Sequence, residues 1–278
     1  TGDGIELGLK TGGTVAPETQ GPGAFWTPVS VTRRANGEQG VFPHLSLDRA
    51  KPGLIAVNGA GKRFVNEASS YHDFVQGMYE SHKTAPTLPA YLICEASFVA
   101  RYGLGTVYPG TTNLKPFERS GYLVTAATIG GLAEKLKLSA SSLNLTVNRY
   151  NLLAENGRDT DFGKGETELN RFNGDARQKP NPCLAPIKKG PFVAVAVWPA
   201  EIATSTGLQT NADGQVLDIQ GSPLPGLYAC GNDMASIMVG TYPGPGTTLG
   251  PALTFGYRVA MHAAGKALET SKSSADRD

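Results

Sequence analysis

Residues 225–232, PGLYACGN, and residues 240–250, GTYPGPGTTLG, are the part of the sequence that decides the fold. Their order predicts a turn at Pro225-Gly226, a short buried strand from Leu227 to Cys230, a glycine-rich loop and then a helix. Pro251 suits the start of that helix, where its missing N–H group breaks no hydrogen bond. The unpaired amides and the positive end of the helix dipole then face the loop. We expect this loop to bind an anion or the electron-rich edge of a ring.

The overall composition excludes several classes of function. The chain has 278 residues, 40% of them hydrophobic, with a net charge of +1 and a pI near 7.6. It is long enough for two lobes, and it has no basic run that would favour nucleic acid. Cys94, Cys183 and Cys230 lie far apart and predict neither a disulfide framework nor a metal site, which favours a reducing, cytoplasmic location. The apolar runs are too short to predict a membrane span.

Apolar periodicity predicts two lobes. Strands are predicted at 53–58, 63–66, 90–94 and 192–198, and helices at 67–79, 96–102, 128–137 and 140–155. Residues 211–214, NADG, predict a hairpin turn, and the polar segment 159–179 predicts a surface excursion. We predict an α/β fold in which residues 1–36 and 192–278 form one lobe and residues 37–191 are inserted as an α+β lobe. The tail at 270–278 is predicted to be disordered.

The first residues of the chain also carry an expectation. The chain begins at Thr1-Gly2-Asp3-Gly4, without a methionine. Gly2-x-Gly4-x-x-x-Gly8 superficially matches a dinucleotide fingerprint, but the strand that must precede such a loop is not in the sequence. We therefore expect that a preceding segment completes the first lobe.

Four motifs along the chain suggest a family. They are Gly59-x-Gly61-Lys62-Arg63-Phe64-Val65-Asn66-Glu67, Gly207-Leu208-x-Thr210, Pro225-Gly226-Leu227-Tyr228-Ala229-x-Gly231-Asn232 and the helix at Gly250. With them the sequence resembles the flavoproteins related to fumarate reductase and the 3-ketosteroid dehydrogenases. The resemblance covers nearly the whole chain, but only the second half of the family's protein, so it implies a missing N-terminal FAD-binding half. It also implies FAD as the cofactor, an incomplete Rossmann-like FAD-binding domain at 1–36 and 192–278, and a substrate or catalytic domain at 37–191.

Within this family, the residues at the substrate positions are similar to those of 3-ketosteroid Δ1-dehydrogenases. Fumarate reductases carry a proton-donating arginine where this chain has Tyr71, and the last glycine loop, 241–249, has no arginine to clamp a carboxylate. Residues 200–204 also lack the usual histidine pair. Instead, Tyr71 is followed by Asp73, and Thr241-Tyr242-x-Gly244-Pro245-Gly246 resembles the second motif of the dehydrogenases.

This resemblance implies three catalytic roles. The Tyr242 hydroxyl and the Gly246 amide bind the C3 carbonyl of the substrate, where two neutral donors stabilise an enolate-like oxygen. Tyr71 takes the proton from C2, and the C1 hydride passes to flavin N5. A tyrosine with a pKa of about 10 is a poor base at neutral pH. Tyr71 therefore needs a helping group, which in the family is a tyrosine in the missing half.

The same resemblance predicts the cofactor contacts. The amides of Leu249 and Gly250, with the helix dipole, stabilise negative charge at the N1/C2=O edge of the flavin. Gly231, Asn232 and Thr248 complete the predicted FAD contacts. Asn232 stands where many relatives carry a glutamate on the ribityl chain, and its amide can hydrogen-bond the same hydroxyls.

These observations predict an FAD-dependent dehydrogenase that introduces a C1–C2 double bond into a 3-ketosteroid or similar apolar cyclic ketone, with an electron acceptor that the sequence does not identify. Two alternatives stay open. One is a related flavin-dependent enone or fumarate-type reductase. The other is a catalytically inactive C-terminal fragment that lacks the first FAD-binding unit.

Overall fold

The computed structural model describes residues 2–17, 23–33, 36–45 and 48–265. The strands within these residues are β1 (Ala24–Arg33), β2 (Gln39–Pro43), β3 (Leu54–Val57), β4 (Ala90–Glu95), β5 (Leu123–Ala126), β6 (Phe192–Thr204), β7 (Gln215–Leu217) and β8 (Pro223–Tyr228). The helices are α1 (Asp3–Lys10), α2 (Tyr71–His82), α3 (Ala96–Tyr102), α4 (Lys115–Arg119), α5 (Ile129–Leu136), α6 (Ala140–Glu155), α7 (Glu168–Asn173) and α8 (Leu249–Ala263). The mixture of helices and strands confirms the predicted fold class.

The chain divides into two units, one formed by Thr1–Phe25 with Glu201–Asp278 and the other by Trp26–Ala200. Both divisions fall inside long strands, β1 and β6, whereas the sequence predicts them at 36/37 and 191/192. The interior of a strand carries no turn residues, so no local sequence signal marks such a division. The assignment of the discontinuous unit to FAD binding and of the continuous unit to the substrate stays a prediction.

A six-stranded sheet runs through the larger unit. Its order is β2-β1-β6-β4-β3, β5 also pairs with β6, and the β1–β2, β3–β4, β4–β6 and β5–β6 pairs are antiparallel. The strands predicted at 53–58, 90–94 and 192–198 are confirmed. The strand predicted at 63–66 is wrong, because only a single bridge joins Val57 to Arg63. The Asn58 side chain accepts hydrogen bonds from the amides of Ala60 and Lys62, which closes a tight turn. After this turn the chain does not continue as a strand paired with β3 beyond Arg63.

Helices α5 and α6 supply much of the core of the larger unit and confirm the helices predicted at 128–137 and 140–155. Thr128 and Ser139 cap them by accepting from the amides three residues later. On α6 the residues Leu143, Val147 and Tyr150 follow the helical repeat and are buried against the sheet. Each such buried side chain contributes about 1.5–3 kcal/mol to folding, so this face fixes the position of both helices.

The segment 159–179, predicted to lie at the surface, is largely exposed, but Asp159 and Lys164 belong to a buried ion cluster. Arg63 forms a bidentate ion pair with Glu67, with Nε–Oε1 and Nη2–Oε2 distances of 2.8 Å, and a second pair with Asp159. Lys164 is fully buried and donates to the Leu54 carbonyl at 2.6 Å. Its Nζ lies 3.6 Å from Glu67. Charged residues are normally exposed, so composition alone predicts the surface, whereas mutual pairing allows them to be buried.

In the smaller unit the first strand of the predicted motif also differs from expectation. Pro225-Gly226 forms no chain-reversing turn but lies inside β8, and Leu227 and Tyr228 are half-buried. Gln215 pairs with Tyr228 and Leu217 with Pro223, so one residue of β7 faces four residues of β8. The Pro-Gly pair lies in this bulge, where Gly226 has a φ of +77°. The hairpin turn at 211–214 is confirmed, with the Asn211 amide bonded to the Gln215 carbonyl at 3.0 Å.

Several helix bounds differ from the predicted ones. Helix α2 begins at Tyr71, not at Glu67, and α8 begins at Leu249, two residues before Pro251. The predicted disordered tail at 270–278 lies outside the described residues. Within the described part, no helix has the length and apolar character needed to cross a bilayer, and no group of metal-ligating side chains is present.

Candidate active site

The glycine-rich loop of the smaller unit is open at Gly246. This residue has a φ of +93°, which favours glycine, and no heavy atom lies within 4 Å of the point where a Cβ would stand. The Thr247 hydroxyl donates to the Gly244 carbonyl and closes the loop behind it. Within the described part of the chain the Gly246 amide donates no hydrogen bond. It is therefore available to a ligand oxygen.

The start of α8 presents its dipole without a neutralising charge. Its first turn contains no acidic residue. The Gly250 amide donates to the Gly246 carbonyl at 2.8 Å, whereas the Leu249 amide has no partner among the described residues. Leu249 is thus the better placed of the two predicted donors. A helix N-terminus with a free amide stabilises an electron-rich group placed against it.

A small, partly open cleft adjoins this helix start. It is lined by Phe25, Thr204, Gly231, Asn232, Met234, Ala235, Ser236, Ile237, Thr247, Thr248 and Pro251. The Thr204 hydroxyl donates to the Asn232 carbonyl at 2.9 Å and fixes the short 3-10 helix Gly231–Asp233. Gly231 has a φ of +66°, and the Asn232 side chain is exposed. An open glycine backbone, neutral hydroxyl and amide donors and an uncompensated helix start fit the FAD that the resemblance implies.

The structure brings four of the predicted FAD contacts to this helix start. Gly231, Asn232 and Thr248 line the cleft, and Leu249 begins the helix. Phe25 and Thr204 also line it, and no local sequence pattern singles out Thr204. Thr204 lies at the end of β6 and 44 positions before Thr248, so only the fold relates the two residues.

Tyr242 lies on the same loop as Gly246 and is buried, with 8% of its surface exposed. Its ring packs edge-to-face on Phe25, with centroids 5.1 Å apart. Packing of this kind fixes the ring of a loop residue. The predicted pair of ketone-binding groups, Tyr242 and Gly246, therefore belongs to one loop of one unit.

Tyr71 belongs to the larger unit and begins α2. Ser70 caps this helix by accepting from the Asp73 amide at 3.1 Å, so Tyr71 occupies the first helical position. Its side chain is buried. The neighbouring His72 accepts from the Trp26 amide at 3.2 Å, which engages that ring in packing rather than catalysis. The first turn of a helix stabilises negative charge, which suits a tyrosine that acts as a base.

Arg49 contacts the backbone just before this helix, and the sequence alone does not predict its role. Its side chain is 2% exposed, and the guanidinium donates to the carbonyls of Glu67 and Ser69 at 2.7 and 3.2 Å. It also stacks over the Phe74 ring at 4.9 Å. No local pattern singles out Arg49, because all the acceptors of its guanidinium are backbone carbonyls, two of them about 20 residues away.

A buried hydrogen-bond network in the larger unit has the same residue types as a hydrolytic triad. His44 Nδ1 lies 2.6 Å from Asp48, and His44 Nε2 lies 2.8 Å from the Ser30 hydroxyl. Ser30 is also 2.7 Å from the Tyr122 hydroxyl. Burial raises the pKa of Asp48, but the charge and hydrogen bond of His44 outweigh it and bring the value to about 2. All four side chains are buried, so we interpret the network as structural.

Comparison with known proteins identifies the family. A model of FAD-binding domains matches residues 1–249, and the chain therefore belongs to this family of flavin-binding proteins. The prediction of FAD as the cofactor is thereby confirmed.

Individual relatives show which members of the family the chain is similar to. The chain is 39% identical to 4-oxocyclohex-2-ene-1-carboxylate 5-dehydrogenase of Sinomonas cyclohexanicum, over 95% of this chain and 44% of that protein. It is 37% identical to 3-oxosteroid 1-dehydrogenase of Mycolicibacterium smegmatis, over 98% of this chain and 47% of that protein. These relatives confirm the resemblance to 3-ketosteroid dehydrogenase-like flavoproteins.

The chain is also similar to a solved structure of this kind of dehydrogenase. The 3-ketosteroid Δ1-dehydrogenase of Sterolibacterium denitrificans, in complex with 1,4-androstadiene-3,17-dione, matches with a TM-score of 0.87 at 40% identity, over 96% of this chain and 47% of that chain. A flavocytochrome c3 fumarate reductase shares the fold, with a TM-score of 0.57 at 21% identity. The chain spans about half the length of the curated relatives it matches.

Proposed function

We propose that the protein is an FAD-dependent dehydrogenase that introduces a C1–C2 double bond into a 3-ketosteroid or a similar cyclic ketone. One observation carries the proposal: the buried Tyr242 lies on the same glycine loop as Gly246, whose open amide has no partner among the described residues. The relatives named for ketone dehydrogenation, one of them solved with a steroid, support this interpretation of the loop.

Tyr242 and Gly246 polarise the ketone. The hydroxyl and the amide donate to the carbonyl oxygen, and they bind it more strongly as negative charge develops during the loss of the C2 proton. A buried hydroxyl is effective here, because a low dielectric strengthens its interaction with the developing charge.

Tyr71 removes the proton from C2. As a phenolate it accepts this proton, and the C1 hydride leaves with its electron pair, so that the double bond forms between the two carbons. The position of Tyr71 at the start of α2 favours the phenolate, although burial opposes it.

Gly231, Asn232, Thr248, Leu249 and Gly250 hold the cofactor. Asn232 would offer its exposed amide to the ribityl hydroxyls, and the Leu249 amide, which has no partner among the described residues, would donate to an electron-rich group of the cofactor. Gly250 would contribute an open backbone, since no described residue lies within 4 Å of a Cβ there. When bound, FAD supplies the acceptor for the hydride.

The surface of the smaller unit supports a further partner, the N-terminal half of the same family's protein. Helix α8 has no buried residue, and Leu249, Leu253 and Tyr257 are each more than 60% exposed. Apolar side chains exposed together in this way mark a contact surface. We propose that this half covers them and completes the FAD site.

Deuterium loss tests the proposed reaction. The full-length flavin-loaded protein is incubated with a 3-ketosteroid deuterated at C1 and C2 and an artificial electron acceptor. We expect a product that has lost one label from each carbon. Loss from other carbons, or reduction of an enone only, would favour the reductase alternative and contradict the proposal.

A further inference from the structure

Arg49 is a buried cation held by backbone oxygens alone. Its Nε donates to the His44 carbonyl at 2.7 Å, Nη2 to the Leu45 carbonyl at 2.6 Å, and Nη1 to the carbonyls of Glu67 and Ser69. No carboxylate of the described residues accepts a hydrogen bond from this guanidinium. Neutral carbonyls satisfy its N–H groups but leave its charge in place.

These contacts locate the charge at the first turn of α2. Ser69 and Phe74, which Arg49 touches, flank Tyr71 in sequence by two and three residues. Arg49 also interacts electrostatically with Tyr71. Burial lowers the pKa of Arg49 to about 10, against the opposing effect of Asp48 and other anionic groups, so the guanidinium stays charged at neutral pH.

We propose that Arg49 is a positioning residue for the candidate base: its guanidinium stabilises the phenolate form of Tyr71 and fixes the backbone that carries this side chain. The inference rests on the proposed function, because it explains how Tyr71 acts as a base near neutral pH. It adds, within this chain, a positively charged group to the tyrosine that the family resemblance implies in the missing half.

The acidic groups around Arg49 do not cancel this effect. Asp48 accepts hydrogen bonds from the Gly105 and Arg49 amides and pairs with His44. Asp73, on α2 itself, is exposed, so water screens its charge.

The remaining anion close to Arg49 is also balanced by other residues. Glu67 is paired with Arg63 and lies near Lys164. Burial raises the pKa of Glu67, but these two cations outweigh it and lower the value. The basic neighbour on α2, His72, is engaged with Trp26. Among these charged groups of the described residues, Arg49 is a cation that interacts with Tyr71.

Two opposing effects set the size of the expected change. Burial disfavours the phenolate, whereas a cation nearby lowers the pKa of an acid by about 1–3 units. Loss of the Arg49 charge removes one of the effects that favour the phenolate. Removal of this charge should therefore raise the pKa of Tyr71 by about one unit or more.

The test is a titration of Tyr71 by NMR in the full-length, flavin-loaded protein labelled with 13Cζ-tyrosine. Tyr71→Phe assigns the resonance. We expect a pKa for Tyr71 below the ordinary value of about 10 in the parent and a rise of about one unit or more in Arg49→Met. Arg158→Met removes the same charge from an exposed site and should leave the titration unchanged.

Arg49→Lys separates charge from hydrogen bonding. Lysine keeps the charge but loses part of the carbonyl contacts, so thermal stability should fall while the Tyr71 pKa stays within about half a unit of the parent. An equal rise in Arg49→Lys and Arg49→Met would overturn the proposal. If Arg49→Met does not fold, a parent Tyr71 pKa at or above about 10 overturns it alone. This readout needs no turnover, so it fails independently of the proposed dehydrogenation.

Discussion

The rings of Tyr242 and Phe25 meet edge-to-face, with centroids 5.1 Å apart and an interplanar angle of 68°. Phe25 is 1% exposed at the start of β1 and anchors the tyrosine ring from beneath the loop. An aromatic contact of this kind holds a ring orientation without using the hydroxyl. Replacement of the tyrosine by phenylalanine can therefore keep this ring contact while it removes the hydroxyl.

Tyr242→Phe tests the hydroxyl directly. The contact with Phe25 persists in this variant, whereas the ketone loses one of its two donors. Loss of such a donor lowers the rate by about 10²–10³-fold. We expect ketone-dependent flavin reduction, followed by stopped-flow absorbance, to fall by this order. Tyr108→Phe, at a residue 78% exposed, is the matched control and should retain the parent rate.

Gly246→Ala tests the open amide. The positive φ of Gly246 costs an alanine about 1–2 kcal/mol, and the new methyl group stands in the space available to the ketone. We expect a rate loss of about 10²-fold, as for a lost donor. Gly226→Ala carries a similar φ of +77° and also meets nothing within 4 Å. Equal rate losses in both variants would mean that backbone strain alone explains the effect.

Glu67→Gln tests the buried ion cluster. It leaves Arg63 and Lys164 without their shared carboxylate, and breaking a buried ion pair costs about 3–5 kcal/mol. Urea unfolding should show a loss of this size. The control is Glu80→Gln, which breaks the exposed pair with Lys83 and should change stability by less than about 1 kcal/mol. Similar losses in both variants would refute a special role for the cluster.

The low pKa of Asp48 leads us to expect that the free energy of unfolding decreases at acidic pH. Its pKa of about 2 in the folded chain lies below the ordinary value, so the unfolded chain binds the proton more tightly. The stabilisation is complete above about pH 4 and is lost as the pH falls towards 2, by about 2 kcal/mol. Urea midpoints measured between pH 5 and 2 should fall more steeply in the parent than in Asp48→Asn. Parallel curves would rule out this assignment.

The sequence predicted best where local pattern determines structure. The repeat of Leu143, Val147 and Tyr150 required a helix with one buried face, and α6 has it. The glycine loop and the helix at Leu249 follow from glycine and proline chemistry. The family resemblance depended on this helix together with the motifs at 59–67, 207–210 and 225–232.

Long-range polar pairing was not predictable. Lys164 is buried near Glu67, 97 residues away in sequence, and Arg49 is buried against the Glu67 carbonyl, about 20 residues away. Nothing in the local sequence of either residue distinguishes it from a surface residue. The bulge at Pro225-Gly226 depends on the register of β7 and β8, which a turn signal does not encode.

The most direct test of the proposed dehydrogenation is an anaerobic absorbance spectrum of the full-length, flavin-loaded protein before and after addition of a 3-ketosteroid. 4-Oxocyclohexanecarboxylate is titrated in parallel, to compare the two kinds of ketone named for the relatives. We predict that ketone bleaches the oxidised flavin band, that Tyr71→Phe abolishes the change and that Tyr242→Phe slows it by about 10²–10³-fold. A bound flavin that stays oxidised with both ketones would contradict the proposed function.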